Sequence, residues 1–361
     1  MTLKDHVLQR VRSEVTERSA YSVLVGDGRV KLDAMESPYS WPTEIQEEWF
    51  SMLREVRLNR YPDPSAIDLC DDLRVFYDLP ESSGLLLGNG SDELIQMIIL
   101  ALGGPDRPIV APEPTFTMYR ILTEVMGIKF ISVPLDTDFE IDRDALLFVI
   151  KEHDPGCVFL AYPNNPTGNL FNRKTVEAAV ATATGLVVVD EAYHPYCEET
   201  FLDQVPERNH LAVLRTFSKL GLAGLRLGFL TGPSAWLAEI NKLRLPYNIN
   251  SLTQASARFA LLHQDWFAQQ AIKICDERAR LLVELRKFSG LIVYPSAANF
   301  VLFRAKEGCA NVIFESLLQQ NVLVKNLDGE HHRLKDCLRV TVSTQVENDL
   351  FLEALSIVVD R

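Results

Sequence analysis

LVVVDEAYHPY, residues 186–196, decides how this chain folds. Four apolar residues in a row, three of them β-branched, leave no polar side for solvent. That is the pattern of a strand buried on both faces of a parallel sheet. The run closes on Asp190, whose carboxylate should therefore project at the strand's carboxyl end, where open α/β sheets bind ligands. The same grammar repeats outward. Downstream, AVLRTF (212–217) runs into SKLGLAGLR (218–226) and then LRLGFLT (225–231). Upstream, CVFLAYP (157–163) runs into NNPTGN, FISVP occupies 130–134, and a burst ending at Pro112 opens into PEPTFTMY. Amphipathic stretches separate the bursts: DELIQMIILAL (92–102) and RKTVEAAVATATG (173–185), the latter with Gly185 as a C′ residue. The alternation predicts an α/β fold, a mainly parallel mixed sheet flanked by helices.

The pattern changes near Leu245-Pro246. A long helical stretch over 251–288 precedes shorter strands at 299–304, 321–325 and 337–342, with helices near 308–319 and 346–358. This predicts a smaller C-terminal α/β domain over 246–361, a large domain over 31–245 and an N-terminal arm over 1–30. The start, MTLKDHVLQRVRSEV, lacks the apolar run of a signal peptide. No segment approaches the roughly 20 apolar residues of a membrane span. A cytoplasmic location is expected.

With 49 acidic against 36 basic side chains the net charge is −13, which repels polyanions and argues against a nucleic-acid partner. The densest basic stretch, Arg278 to Arg280 with Arg286 and Lys287, reads as the solvated face of a helix. Six scattered cysteines form no C-x-x-C pair, and none of the histidines stands at metal-ligand spacing, so neither a disulfide framework nor a metal site is expected. The chain has no G-x-S-x-G and no P-loop lysine.

Polar clusters at the strand ends carry the chemistry. Lys219, beside Ser218 and close to Thr216 and Arg226, is a solvated surface lysine or a nucleophile sheltered near positive charge. Arg226 can grip a phosphate bidentately, with the two hydroxyls as further donors. Asp190 is a helix N-cap, a metal ligand, or the partner of a protonated ring nitrogen, with Tyr193 three residues on. Asn165, in NNPTG, belongs to a plain turn or contacts a ring oxygen. Gly90, Ser91 and Asp92 open either an ordinary capped helix or one whose N–H groups cradle a phosphate. Arg339, in the strand LRVTVST, needs a partner if buried: an internal carboxylate or a substrate anion.

Together the segments YPDP (61–64), PNNPTG (163–168), DEAY (190–193), SKLGLAGLR (218–226) and RVTVST (339–344) resemble the fold-type I pyridoxal-phosphate-dependent aminotransferases. LDAMESPY (32–39), NRYPDP (59–64), LGNGSDELI (87–95), PEPTFTMY (112–119), RTFSKLGLAGLRLGF (215–229) and PYNIN (246–250) resemble more particularly the histidinol-phosphate aminotransferases of histidine biosynthesis. The resemblance implies pyridoxal 5'-phosphate as cofactor and Lys219 as the lysine that carries it. It makes Asp190 the partner of the pyridine nitrogen, Asn165 and Tyr193 the contacts to the ring hydroxyl, and Tyr119 the ring-stacking aromatic. Gly90, Ser91, Asp92, Thr216, Ser218 and Arg226 become the phosphate set. Tyr61 is similar to a residue that reaches the neighbouring subunit's cofactor, which implies a homodimer with shared sites. Tyr21, Asn165, Lys325 and Arg339 are the expected substrate contacts, with Asn248 and Asn299 as further pocket residues. An aromatic aminotransferase and a decarboxylase of a phosphorylated amino acid are the neighbouring activities. Two departures stand out. NVLVKNLDG carries Lys325 where many relatives place an arginine, and the segment from Lys219 to Arg226 is one residue shorter than in many relatives.

Overall fold

A computed structural model of the chain describes residues 2–20, 26 and 28–360. Two sheets organise it. Strands in chain order are β1 Val30–Leu32, β2 Ser83–Gly88, β3 Ile109–Glu113, β4 Phe130–Pro134, β5 Cys157–Ala161, β6 Leu186–Asp190, β7 Leu211–Thr216, β8 Gly228–Pro233, β9 Ile292–Val293, β10 Phe300–Arg304, β11 Val322–Asn326 and β12 Cys337–Thr341. The first sheet has the order β2-β8-β7-β6-β5-β3-β4. Five neighbours, β7 to β4, run parallel, while β8 is antiparallel to both β7 and β2. The second sheet, β1-β11-β12-β10-β9, is antiparallel except for β1 on β11.

Burial explains why the first sheet reads as unbroken apolar runs. Val187 and Val189 enter one core with Val158, Leu160 and Val213, under the helices Arg143–His153 and Arg173–Thr182. Leu186 and Val188 enter the other with Phe159, Leu214 and the inner face of the helix Ser91–Leu102. Each strand thus alternates between two apolar layers. A third core lies beneath the second sheet and holds Phe303, Leu338, Val340 and Phe351.

Several expectations are corrected. The helical stretch after Pro246 breaks at His263 into Ser251–Leu262 and Gln264–Leu285. Strand β1 crosses the boundary expected at residue 31 and pairs in the second sheet, Val30 to Val322. The helix Ser251–Leu262, just beyond the boundary expected at 246, packs back on Ile67–Phe76. Gly185 is not a left-handed helix cap. The helix stops at Thr182, and a Cβ on Gly185 would lie 2.2 Å from the Pro155 carbonyl oxygen, so glycine is required by backbone approach. The basic stretch is not uniformly solvated either. Arg278 donates to the carbonyls of Tyr196 and Ala298 at 3.1 and 2.9 Å, while Arg280 pairs with Glu277 and Asp349.

Candidate active site

The ladder of the first sheet sets the site. Gly88, at the end of β2, lies opposite Gly228, which lies opposite Thr216 at the end of β7. Ala161 lies opposite Asp190, and Asp190 opposite Leu214. The carboxyl ends of β2, β5, β6 and β7 therefore share one edge, and their loops surround a cavity of about 240 Å3. Of the residues expected from the sequence, Ser91, Asp92, Asn165, Asp190, Tyr193, Thr216, Ser218, Lys219 and Arg226 line it.

Lys219 follows β7 in the turn Ser218–Leu222, fixed from behind by the Tyr196 hydroxyl, which donates to the Lys219 carbonyl at 2.6 Å. Its Nζ donates to the Ala34 carbonyl at 3.1 Å and stands 5.8 Å from the centre of the Tyr193 ring. Burial, with the Arg339 cation next, pushes the ammonium down to about 8, so a neutral, nucleophilic amine is accessible near physiological pH.

Asp190 is buried and receives two hydrogen bonds, from the Tyr119 hydroxyl at 2.5 Å and the Ala192 N–H at 3.0 Å. Burial pushes its carboxyl up to about 6 despite both donors. Among the described residues no cation forms a salt bridge with it, and no cluster of three His, Cys, Asp or Glu could hold a metal ion. Its neighbours are donors, which suits a carboxylate awaiting one more N–H from the cavity. The next residue behaves differently. Glu191 is fully buried and saturated by Arg215 at 2.7 Å, the Thr200 hydroxyl and the Phe201 N–H. This pair, which the sequence reading did not single out, pins the loop that carries Tyr193.

At the other end of the cavity Gly90, at φ +82°, opens the helix Ser91–Leu102. A Cβ there would lie 2.7 Å from an Arg226 guanidinium nitrogen, so the glycine leaves a concave wall of backbone N–H groups beside a cation. Arg226 reaches Asp92 at 3.1 Å and the Ser218 hydroxyl at 3.5 Å, and the Thr216 and Ser218 hydroxyls are 3.0 Å apart. A guanidinium, two hydroxyls and a helix N-terminus on one wall make a phosphate cradle. With a carboxylate and a lysine amine further along the same cavity, the residues fit a phosphorylated, nitrogen-containing ring that bonds to an amine.

Tyr119 requires a correction. Its ring is fully buried, stacked at 4.6 Å on Phe159, and its hydroxyl is committed to Asp190. The aromatic of this segment that lines the cavity is Phe116, three residues earlier. Met35 and Glu36 line the cavity too, on a segment remote in sequence from the other loops. Tyr61 does not reach this cavity. It is 80% exposed and stacks on Tyr247 at 4.4 Å.

The expected substrate residues divide. Arg339 is buried beside the cavity, donating to Asn165 Oδ1 at 2.5 Å and to the Asp33 carbonyl at 2.9 Å. Lys325 is its cross-strand partner, yet its ammonium sits on Glu330 at 2.6 Å. Asn299 is buried and donates to the Met35 carbonyl, and Asn248 donates to Glu93 and the Leu87 carbonyl behind the glycine-rich turn. Tyr21 lies outside the described residues.

The model of the class I and II aminotransferases matches residues 28–355. This chain belongs to that family. Within it the aminotransferase is 51% identical over 352 residues to histidinol-phosphate aminotransferase 2 of Nitrosococcus oceani, covering 98% of each chain. It is 46% identical to histidinol-phosphate aminotransferase 1 of Ralstonia nicotianae, covering 98% of this chain and 96% of that one. Among solved structures it matches histidinol-phosphate aminotransferase of Sinorhizobium meliloti in complex with pyridoxal-5'-phosphate, with a TM-score of 0.83, 25% identity, and 91% and 90% of the two chains covered. L-threonine-O-3-phosphate decarboxylase of Porphyromonas gingivalis shares the fold at a TM-score of 0.76 and 22% identity, over 91% of this chain and 98% of that one. The α/β fold expected from the strand pattern and the fold-type I architecture implied by the resemblance are the ones found.

Proposed function

We propose that this aminotransferase interconverts L-histidinol phosphate and 2-oxoglutarate with imidazole-acetol phosphate and L-glutamate, in histidine biosynthesis, using pyridoxal 5'-phosphate. The observation that carries the reading is the near full-length identity to histidinol-phosphate aminotransferases, joined to a cavity that sets a sheltered lysine and a buried carboxylate beyond a phosphate cradle. Pyridoxal 5'-phosphate, when bound, supplies the electron sink for the charge left as the Cα proton departs.

The residues divide the remaining work. Lys219, neutral in a useful fraction because of its depressed ammonium, would hold the cofactor, then take the proton from the substrate's Cα and deliver it to the adjoining cofactor carbon C4′. Asp190, ionised, holds a proton on the ring nitrogen. Asn165 and Tyr193 would steady the ring oxygen, and Phe116, on the cavity wall, would pack against the ring. Ser91, Asp92, Thr216, Ser218 and Arg226 hold the phosphate through hydroxyl, guanidinium and backbone donors. Arg339, reached through Asn165, reads the anionic end of either substrate. Because the keto product of the first substrate departs, leaving its amino group behind, before the second substrate enters, the kinetics are ping-pong.

The working form is a homodimer in which Tyr61 of one protomer reaches the phosphate end of its partner's site. The support is an aromatic pair, Tyr61 on Tyr247, standing in solvent beside the exposed Leu58 and Leu252. Mixing Tyr61→Ala with Lys219→Ala tests this. Hybrid dimers hold one site with both residues intact and regain part of the activity, whereas an active monomer by light scattering would rule it out.

Initial rates with L-histidinol phosphate, phenylalanine and threonine phosphate test the substrate. Histidinol phosphate is expected to give the highest kcat/KM. Preference for phenylalanine would make this an aromatic aminotransferase, and carbon dioxide release from threonine phosphate a decarboxylase.

A further inference from the structure

We propose that Tyr119 is a positioning residue for the reaction, its hydroxyl keeping the Asp190 carboxylate ionised and aimed into the cavity. This rests on the reading of Asp190 as the partner of the ring nitrogen.

The geometry leaves the phenol little freedom. Tyr119 lies in the first turn of the helix Met118–Val125 and is fully buried. One ring face lies on Phe159, nearly parallel at 6°, and Phe116 meets the ring edge-on at 5.6 Å. The Thr123 hydroxyl donates to the Tyr119 carbonyl at 2.6 Å, tying the turn beneath the ring. So held, the hydroxyl points at Asp190 Oδ2, while the Ala192 N–H takes Oδ1. A carboxylate oxygen offers about two lone-pair directions. One donor on each oxygen fixes the plane of the group and leaves the other directions for a donor from the cavity.

The electrostatics need this hydroxyl. Two acidic groups act on Asp190, Asp92 at the head of the helix Ser91–Leu102 and Glu191 next along the chain, and both push its carboxyl up as burial does; the cation Arg226, on the wall of the same cavity, makes no bond to it. Tyr193 and Lys219 line the same cavity, but neither bonds to it. Against these stand two hydrogen bonds, that of Tyr119 the larger influence. Without it a single N–H would oppose burial and two acidic neighbours. Asp190 would then keep the proton that should sit on the ring nitrogen. The same helix turn also links Phe116, on the cavity wall, to the carboxylate behind it, so cover and counter-charge come from one short segment.

The test uses the cofactor-free protein and the loaded enzyme. In the cofactor-free chain, carbon-13 NMR of labelled aspartate, assigned with Asp190→Asn, gives the ionisation midpoint of Asp190. In Tyr119→Phe the midpoint is expected about one pH unit higher than in wild type, the scale on which one strong hydrogen bond to a carboxylate acts. In Tyr119→3-fluorotyrosine, where ring and hydroxyl remain and the phenol is a stronger donor, it moves lower. That second variant keeps the shape of the site, so it decides the matter even if the phenylalanine protein folds poorly. In the loaded enzyme the acid limb of kcat moves in the same directions, Tyr119→Phe loses about tenfold or more in kcat, and KM for glutamate stays within a factor of a few. Unmoved midpoints overturn the proposal while leaving Asp190 itself in place. Full activity of Asp190→Asn would instead overturn the reading of Asp190, and the two failures are told apart by that one variant.

Discussion

The two sheets prepare the cavity in unlike ways. On the side of the first sheet, Asp190 ends a central strand, and Thr216, Ser218 and Lys219 follow at the end of the strand beside it. Ladder pairing fixes their mutual positions, as Gly88, Gly228 and Thr216 show by standing in register. On the side of the second sheet, Arg339 and Lys325 also face each other in register, but only Arg339 is tied across to the first side, through Asn165, its other bond going to the Asp33 carbonyl just after β1. Lys325 keeps to its own loop. The cofactor end is built by backbone geometry, whereas the substrate end depends on single side chains that bridge remote segments. Breaking the first should abolish chemistry, and breaking the second should change which substrate is favoured.

The largest effect belongs to Lys219→Ala. On the proposed function it removes both the group that would hold the cofactor and the proton carrier, so single-turnover rates should fall by about 10^4-fold while circular dichroism stays native. Asp190→Asn comes next, with a loss of at least ~100-fold, the scale on which positioned charges act. That variant also separates function from stability. Folding raises the Asp190 carboxyl from 3.8 to about 6, so its protonated form is favoured in the folded chain. The stability this confers is complete below pH 4 and is lost as pH rises through 6. An amide cannot ionise, so the cofactor-free Asp190→Asn protein should be more stable at pH 8 by up to about 3 kcal/mol at 1.36 kcal/mol per unit. The advantage should vanish in acid. Denaturant titrations at the two pH values measure it, and equal stability at pH 8 would mean that Asp190 is not strained by burial.

Arg339→Ala tests the bridge. Leaving a buried charged partner unmatched costs roughly 3–5 kcal/mol, which should appear in kcat/KM for glutamate. A second consequence reaches the first sheet. Arg339 is the main cation holding the Lys219 ammonium down, so its removal should carry the pH at which the amine becomes nucleophilic above about 8. Rates of cofactor capture by the cofactor-free variant, measured against pH, would show the shift. Glutamate kinetics like those of wild type would make Arg339 structural and require a redrawn substrate site.

How far these features could be read beforehand follows the same divide. Strands β5, β6 and β7 were legible because they are buried on both faces and closed by polar clusters. Strand β2, SGLLLG, was not. It has two glycines and no β-branched residue, and leucine favours helices, so only pairing with β8 makes it a strand. Strand β1 has three residues and finds its partner almost three hundred positions away. Within the site, PTFTMY offers two aromatics three apart. Composition does not say which one meets the cavity. That is decided by where the helix begins, with Phe116 ahead of Met118 and Tyr119 on the buried first turn. The ties of Ala34 to Lys219 and of Asp33 to Arg339 are backbone carbonyl contacts, which carry no side-chain signature.

The smallest expected effect is the most discriminating about substrate. Lys325 stands opposite Arg339, and its ammonium is held by Glu330 with the two side chains 42% and 35% exposed. An ion pair so open to water is worth no more than about 1 kcal/mol, so a phosphate dianion can draw the ammonium away from Glu330 at little cost. A carboxylate has less charge and, on the proposed function, would be met by the guanidinium of Arg339. Lysine tolerates an imperfect position, being a point charge with rotatable donors. Lys325→Ala should therefore raise KM for L-histidinol phosphate by up to about fivefold, the size of one such pair, and leave glutamate within experimental scatter. Glu330→Gln should act in the opposite sense, freeing the ammonium and tightening histidinol phosphate. Single-turnover kinetics of the two half-reactions read these effects separately, since each begins from a spectrally distinct enzyme form. Equal losses for both substrates in Lys325→Ala, or no gain in Glu330→Gln, would remove Lys325 from phosphate recognition and leave the substrate's anion to Arg339 alone.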